Sequence, residues 1–455
     1  METPALDSLE HSVAPPARRC RRVRITARIT TLAVVALLAA LPGADLPARA
    51  QDSRTPGRIT TWFARLVPGE GDTNVRADAG GLRLGSDPAG PASVRSGWPE
   101  GMLLTAVHPL AELSNQVTTE LVADQPAGSA VAIDVRGIRG DGSWTEWVAT
   151  SPKTPMRLGA AVTGMQARIV LRAGKGGASP ASPASLASPL VRSVRLTAQP
   201  GVSLLAARPR RLRSYRVFAT REGLRGARTA NGHVIHERDH FVALPSRGGL
   251  APRDSGDYTV KVCADNGRCE WAPVWDVGPW NTTDDYWNPS GVRQSWPDLA
   301  QGHPQAQAAH DEGYNDGLDQ FGREVRNPAG IDLADGTFWD GLGLRDNSWV
   351  SVTYLWTDSA PPAIVAIPTL PVRSGPGEQY PTVGLAAQRA ELLVECTVEG
   401  QAVIGSQGRT NRWLRIGPKQ FISAAHVTTG STVNTQNTAN TQIAHEGSGK
   451  RCATP

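Results

Sequence analysis

Alternating apolar and polar residues, bounded by Gly and Pro, recur along most of this chain and limit its fold more than any other feature. The alternation is clear at Val131, Ile133 and Val135, for example. Helical periodicity is nearly absent, and 47 Gly and 35 Pro residues interrupt the 455-residue chain with turn signals. We therefore predict a mainly β protein, and the length predicts more than one domain.

The first fifty residues have the pattern of a secretion signal. Six Arg residues precede a ten-residue apolar run at 32–41, and Ala48-Arg49-Ala50 then offers a cleavage site. The run is about half of the roughly 20 residues that a membrane-spanning helix needs. We predict that the signal peptide, residues 1–50, is removed, that the protein is secreted, and that no integral membrane segment is left after cleavage.

Net charge narrows the classes of partner. Residues 1–50 hold seven Arg against four acidic residues, a net +3 of the chain's +5, which leaves +2 for the predicted mature chain. A chain so close to neutrality has little long-range attraction for a polyanion. We predict no nucleic-acid partner, and the sequence indicates no oligomeric state.

Four cysteines follow the predicted signal, and an even number in a secreted protein favours two disulfides. Three pairings satisfy the count. Cys263 and Cys269 end two alternating strands joined by a tight turn with Gly267 in the left-handed position, which would place the two cysteines opposite each other. Cys396 and Cys452 then pair by elimination and tie a polar tail to the last domain.

Shifts in composition divide the predicted mature chain into three β domains. The Trp-rich central domain has its only helix candidate near Pro304, inside an insertion at 281–329. The predicted segments are a β-sandwich of a kind that often binds carbohydrate (55–200), a linker (201–214), the central domain (215–356), a second linker (357–369), a small β-barrel (370–429) and a flexible polar tail (430–455).

The third domain carries a recognisable set of turn and core residues. Residues 370–377 read Leu-Pro-Val-Arg-Ser-Gly-Pro-Gly, residues 380–384 read Tyr-Pro-Thr-Val-Gly, and residues 413–417 read Trp-Leu-Arg-Ile-Gly. This block resembles the bacterial SH3 domain, a small β-barrel. The resemblance implies that the domain binds cell-wall peptides and anchors the protein to peptidoglycan.

The central domain contains three motifs in a familiar order. They are Thr-Ala-Asn-Gly at 229–232, the hairpin strand at 258–262 with its Asn-Gly turn, and the pair Asp-Val-Gly-Pro-Trp at 276–280 and Ile-Asp-Leu at 331–333. Together they resemble the double-psi β-barrel of rare lipoprotein A, expansins and lytic transglycosylase A. The resemblance implies a six-stranded barrel with a partly helical insertion, acting on peptidoglycan glycan strands.

The same resemblance implies the catalytic residues. Asp276 matches the aspartate that acts as general acid and then as base in non-hydrolytic cleavage, and Asp332 would orient the sugar beside it. His240 lies one residue from the position of a family histidine, while Leu244 stands where relatives have a third aspartate. Structural roles are the alternatives: Asp276 would cap the Gly-Pro turn after it, and Asp332 would hold a turn.

Three aromatic residues follow Asp276 in a stretch flanked by Pro and Gly, which predicts an open segment. Trp280, Tyr286 and Trp287 are therefore the candidate substrate-binding residues, because aromatic rings stack on the faces of sugars.

His233, His236 and His240 have a spacing that suggests a metal site. An extended chain would, however, place positions 233 and 236 on opposite sides, so we predict no metal and no cofactor.

These observations lead us to expect a secreted, cell-wall-associated protein that binds peptidoglycan or another wall polysaccharide through its central domain. Whether it is an enzyme is left open between lytic-transglycosylase-like cleavage and non-catalytic, expansin-like binding. A surface scaffold or adhesin for a protein partner is the third hypothesis.

Overall fold

The computed structural model describes residues 58–85, 99–174, 187–201, 212–358, 362–429 and 450–452. The predicted signal at 1–50, and most of the predicted linker at 201–214 and of the tail at 430–455, lie outside the described residues. The fold is mainly β, with 50% strand and 8% helix, which confirms the predicted class. No helix in the described ranges is long and apolar enough to cross a membrane.

The first nine strands form one continuous antiparallel sheet around their own apolar core. The long strand β5 pairs with β8 in its first half and with β9 in its second. The two-sheet sandwich therefore stays a prediction. The strands are β1 (Thr60–Phe63), β2 (Val75–Asp78), β3 (Gly81–Leu84), β4 (Glu100–Leu104), β5 (His108–Asp124), β6 (Ala130–Ile138), β7 (Val148–Ala149), β8 (Met156–Arg172) and β9 (Leu190–Gln199).

The next six strands close into a barrel: β10 (Arg213–Arg221), β11 (Val242–Leu244), β12 (Thr259–Ala264), β13 (Cys269–Val277), β14 (Ala329–Leu333) and β15 (Ser348–Tyr354). Around the barrel, β11 pairs with β14, then follow β10, β15, β12 and β13, and β13 pairs back with β11. The β10–β14 and β11–β13 pairs are parallel, and the other four are antiparallel. A closed ring leaves no strand edge exposed by this sheet.

The barrel interior is filled by every second residue of its strands. Val217 and Ala219 of β10, and Val260 and Val262 of β12, are fully buried in one core cluster. Because side chains alternate between the faces of a strand, this apolar period of two is what directs the sequence to close around a core.

The predicted hairpin and both predicted disulfides are confirmed. Cys263 and Cys269 are direct register partners in β12 and β13 and are bonded to each other, and Gly267 in the turn between them has a φ of +84°. Cys396 is bonded to Cys452, 56 residues later. The hairpin was predictable because the residues that determine it lie within seven positions of one another.

The insertion between β13 and β14 contains the predicted helix, α1 (Gln305–Glu312). Asp284 holds the helix in place: its Oδ2 accepts from the backbone N–H of Gln305 at 2.7 Å, and its Oδ1 binds Arg293 at 2.5 Å. Both side chains of that ion pair are 0% exposed. Burial raises the pKa of Asp284 to about 6, and Arg293 opposes this rise. Because it is buried and bonded to Gln305 and Arg293, this carboxylate stabilises the insertion and does not face solvent.

Eight strands follow the barrel, and five of them continue its sheet. β18 pairs in parallel with the first residues of β13, and the order β18-β17-β22-β21-β20 extends from there. β19, β16 and β23 form a separate sheet, and β16 lies inside the predicted linker 357–369. The SH3 identity stays a prediction. The strands are β16 (Pro362–Val365), β17 (Thr369–Arg373), β18 (Thr382–Ala387), β19 (Glu391–Leu393), β20 (Cys396–Gly405), β21 (Gly408–Gly417), β22 (Gln420–Ser423) and β23 (Val427–Thr429).

Candidate functional site

The two aspartates singled out by the sequence lie on either side of one barrel residue. Ala243 of β11 pairs with Asp276 of β13 on one side and with Asp332 of β14 on the other. Because neighbouring strands are about 4.8 Å apart, the Cα atoms of the two aspartates are roughly 10 Å apart. We call Asp276, Ala243, Asp332 and Thr220, which pairs with Asp332 from β10, the aspartate strip.

The aspartate strip faces away from the barrel interior. The residues that alternate with it along β11 and β14 are fully buried in the barrel core: Val242, Leu244, Ile331 and Leu333. Ala243 and Asp332 therefore point to the outer face, and a register shift next to Ala243 brings Asp276 onto the same face. The carboxylates are nevertheless well covered, with Asp276 5% and Asp332 9% exposed.

Asp276 anchors the loop that carries the Thr-Ala-Asn-Gly motif. Its Oδ1 accepts hydrogen bonds from the backbone N–H of Ala230 at 2.7 Å and from that of Val277 at 2.8 Å. Within the loop, the Thr229 hydroxyl donates to Asn231 Oδ1 at 2.7 Å. Two motifs that the sequence presents 46 residues apart therefore form one structural unit around this carboxylate.

Asp332 is held from the neighbouring strand. The hydroxyl of Thr220 donates to Asp332 Oδ1 across the parallel β10–β14 pair. This contact orients the carboxylate within the strip, and it ties two strands whose residues lie 112 positions apart.

Two ion pairs to the buried carboxylate of Glu100 lie next to the aspartate strip. Arg247 binds one oxygen of Glu100 in β4 at 2.5 Å, and Arg172 of β8 binds the other oxygen at 2.8 Å. Burial disfavours the charge on Arg247, but Glu100, Asp134 and Asp276 outweigh it and raise the pKa of Arg247. A permanent positive charge therefore acts on Asp276, and the first nine strands supply the carboxylate that holds it there.

Tyr286 and Trp287 are core residues, so the prediction that they lie in an open segment is wrong. Both are 0% exposed and belong to the barrel core. The Tyr286 hydroxyl accepts from Tyr354 at 2.6 Å, and the Trp287 indole donates to Glu146 Oε1 at 3.0 Å. The physical reason is that the insertion packs these rings against Tyr354 and Trp356. This packing removes their large apolar surfaces from water, which stabilises the fold.

Trp280 is half-buried at the edge of the insertion. Its indole N–H donates to Asn327 Oδ1 at 3.0 Å, and its ring packs beside Ala306 and Ala309 of α1. Its role as a sugar contact stays a prediction.

Trp339 is the exposed indole of this region, although no sequence signal set it apart. Among the described tryptophans it alone falls in the exposed class, with 38% of its surface accessible. The guanidinium groups of Arg221 and Arg238 lie 4.8 and 5.0 Å from its ring centre. Arg221 follows Thr220 directly in β10, so the backbone of Arg221 adjoins the end of the aspartate strip.

His240 pairs with a buried carboxylate and is not part of the strip. Its Nδ1 lies 2.9 Å from Oε1 of Glu270, which is 0% exposed and also accepts from the Thr337 hydroxyl at 3.1 Å. Burial opposes the charge on His240, but the hydrogen bond and charge of Glu270, with two more distant aspartates, prevail and raise the pKa of His240. The structure therefore separates His240 from the two aspartates with which the sequence grouped it.

Glu270 is a residue that sequence reasoning missed. Its Oε2 is buried and has no hydrogen-bond partner among the described residues. A Cβ at Gly341 would lie 1.3 Å from that oxygen, so only glycine fits there. The available signal was a single Glu between Cys269 and Trp271 at the start of a core strand.

His233, His236 and Asp239 form a cluster in the loop between β10 and β11. The Nε2 of His233 lies 2.7 Å from Asp239 Oδ2, and the two imidazole rings are 5.6 Å apart. The prediction that positions 233 and 236 face opposite sides is wrong, because the loop turns between them instead of extending. The third histidine of the suspected motif, His240, points elsewhere, and Asp239 takes its place.

Comparison with known proteins adds one finding. Residues 213–353 match a family described as a domain of unknown function, DUF8814. The match begins at the first residue of β10 and ends one residue before the end of β15, so the barrel with its insertion is the unit that is similar to this family. A search of curated proteins found no match to the chain.

Proposed function

We propose that this protein is exported and binds the glycan strands of cell-wall peptidoglycan along the aspartate strip and Trp339. The observation that carries the proposal is the position of Asp276 and Asp332 on either side of Ala243, on one outer face of a closed barrel. In this proposal the barrel is of the double-psi kind and the first nine strands form a sandwich. The C-terminal strands are an SH3-like anchor for wall peptides.

The chemistry of this face suits a glycan strand that carries peptides. An exposed indole stacks on the apolar face of a sugar ring. The guanidinium groups of Arg221 and Arg238 beside Trp339 can pair with the carboxylates of peptide stems. Both carboxylates of the strip can accept hydrogen bonds from sugar hydroxyls once the glycan displaces the protein groups that bury them.

Burial favours binding over cleavage, because Trp339 and the arginines beside it are accessible to a glycan, whereas cleavage needs a buried carboxylate at the glycosidic bond. A general acid must come within hydrogen-bond distance of the glycosidic oxygen. Asp276 is 5% exposed, and its Oδ1 already accepts from two backbone N–H groups. Lytic-transglycosylase-like cleavage is the second candidate function, and it is favoured by the presence of two carboxylates on one face.

The first prediction tests binding. Purified mature protein should sediment with native peptidoglycan sacculi, and Trp339→Ala should bind about tenfold more weakly, a loss of about 1.4 kcal/mol. Phe321→Ala is the matched control, because Phe321 is 39% exposed but belongs to the insertion. Binding should not change in this control. Failure of the wild-type chain to sediment would contradict the proposal. It would favour the hypothesis of a surface scaffold or adhesin for a protein partner.

The same sacculi separate binding from cleavage. Wild type and Asp276→Asn are incubated with native and with peptide-free sacculi, and the soluble fraction is analysed by mass spectrometry. Binding by both without soluble products is the expected result. Release of anhydro-muropeptides by the wild type alone would show that the protein is a lytic enzyme with Asp276 as its acid.

A further inference from the structure

Two imidazoles and one carboxylate meet in the loop between β10 and β11. One ligand atom from each of His233, His236 and Asp239 can be chosen so that all three lie within 4.8 Å of one another. The closest pair, His233 Nε2 and Asp239 Oδ2, is 2.7 Å apart, and His236 Nδ1 lies 3.7 Å from the same oxygen. Ligands bound to one zinc ion at about 2.0–2.2 Å in a tetrahedron are roughly 3.5 Å apart, so small side-chain rotations bring these atoms into place.

The backbone holds this cluster from both ends. His233 donates its N–H to Asn231 Oδ1 at 3.1 Å, and its carbonyl accepts from the N–H of Thr229 at 2.9 Å. At the other end, the carbonyl of Asp239 accepts from Gly336 N–H at 2.9 Å. A preformed set of ligands is what a metal ion needs, because binding then costs little ordering of the chain.

The chemistry of the three side chains also suits a cation. Imidazole nitrogen and carboxylate oxygen are a donor set that zinc accepts.

The exposure of the three side chains gives a metal ion access to the cluster from solvent. His236 is 69% exposed, whereas His233 and Asp239 are each 21% exposed. Three protein ligands with one open side correspond to a four-coordinate site that keeps a position for water or an external ligand.

We propose that His233, His236 and Asp239 bind a single zinc ion with one open coordination position. The site directly follows the Thr-Ala-Asn-Gly segment of the same loop, which Asp276 anchors through Ala230. The inference is independent of glycan binding, because it rests on the ligand geometry alone.

The test uses full-length mature chain without an affinity tag, stripped with EDTA and titrated with ZnCl₂ by calorimetry. We expect one equivalent of zinc to bind, and His236→Ala to weaken the affinity by about 100-fold or more. His310→Ala is the matched control, because His310 is also exposed and pairs with a neighbouring aspartate, Asp311, at 2.6 Å. This control should bind zinc as the wild type does.

Two further measurements keep the result interpretable. Asp239→Asn should also lose the site, and circular dichroism should show that each variant keeps the wild-type fold. Cobalt in place of zinc should give the intense visible absorption of a tetrahedral complex, and His236→Ala should abolish it. Absence of saturable zinc binding by the wild type, or equal affinity in His236→Ala, would overturn the proposal.

Discussion

The barrel contacts the strands before it and the strands after it in two different ways. Toward the first nine strands the contacts include ion pairs beside the packed indole of Trp147: Arg247 binds Glu100 at 2.5 Å, and Arg136 binds Asp257 at 2.6 Å. Toward the C-terminal strands they are apolar and backbone-mediated: β18 adds to β13, and Trp271 is buried in a core shared with those strands. We call these the charged junction and the apolar junction.

The difference predicts how each junction responds to its surroundings. A buried ion pair is weak evidence of net stability, but removal of one partner leaves an uncompensated charge. A buried indole contributes through area and shape, which neither pH nor salt alters directly. The charged junction should therefore depend on protonation, whereas the apolar junction should depend on packing.

The largest expected effect is at the apolar junction. Trp271 is 1% exposed, so Trp271→Ala should leave a large cavity and lower the free energy of unfolding by about 4 kcal/mol. Urea denaturation followed by circular dichroism measures the change. Trp339→Ala, at an exposed indole, should change stability by less than about 0.5 kcal/mol. A comparable loss in both variants would show that the apolar junction does not depend on packing.

The next effect is at the charged junction. Glu100→Gln should lower the free energy of unfolding by about 3 kcal/mol at pH 7, because Arg247 loses its buried partner. Burial would raise the pKa of Glu100, but Arg247 and Arg172 overcome this and lower it. The stability that Glu100 contributes is therefore present above about pH 4.5 and is lost as the pH falls below that value. The gap between wild type and variant, measured in urea, should close in acid.

An exposed ion pair in the same sheet is the control for that prediction. Arg195 and Glu120 are cross-strand partners at 2.5 Å with side chains 43% and 39% exposed. Arg195→Gln should cost less than about 0.5 kcal/mol. If Glu100→Gln costs no more than this, burial does not distinguish the charged junction from an ordinary surface pair.

The smallest effect concerns Glu391, which lines a cavity of about 30 Å³ where all three groups of strands meet. Burial, reinforced by Asp257 and opposed by Arg136, raises the pKa of Glu391 to about 8. The stability that its neutral form contributes is present below about pH 4.5 and is lost as the pH rises to 8. We expect the wild-type chain to lose about 2 kcal/mol between pH 5 and pH 8, allowing for solvent screening.

Glu391→Gln should remove this alkaline loss, because glutamine stays neutral. Thermal unfolding between pH 5 and pH 9 measures it, with Glu378→Gln as the control at an exposed glutamate of the same group of strands. An unchanged pH profile in Glu391→Gln would show that the carboxyl does not titrate in this range. Glu100 at the charged junction and Glu391 where the three groups of strands meet thus respond to pH in opposite directions.

In the candidate site, the sequence identified the two aspartates but did not predict which aromatic residues are exposed. Asp276 and Asp332 were selected from short motifs, and the closed barrel places both beside Ala243. Tyr286 and Trp287 were misjudged, because their exposure depends on how the insertion packs against residues about 70 positions away. The sequence also does not show that Trp339 is the exposed tryptophan, because exposure depends on tertiary packing.

The histidines illustrate the same limit at short range. Their spacing was visible, but the direction of each ring depends on whether the loop turns or extends. The loop turns, which brings Asp239 to His233 and sends His240 toward Glu270, 30 residues later. Spacing along a chain identifies a cluster only when the backbone conformation is known.

The sequence by itself determined the mainly β class, the hairpin with its Cys263–Cys269 bond and the helix after Pro304, because each depends on periodicity or on residues a few positions apart. The six-stranded barrel was predicted through the family resemblance and is confirmed, but only the tertiary structure decided the aspartate strip and the two kinds of junction. These depend on burial and on strand pairing, and both arise from partners that the chain brings together from positions tens to hundreds of residues apart.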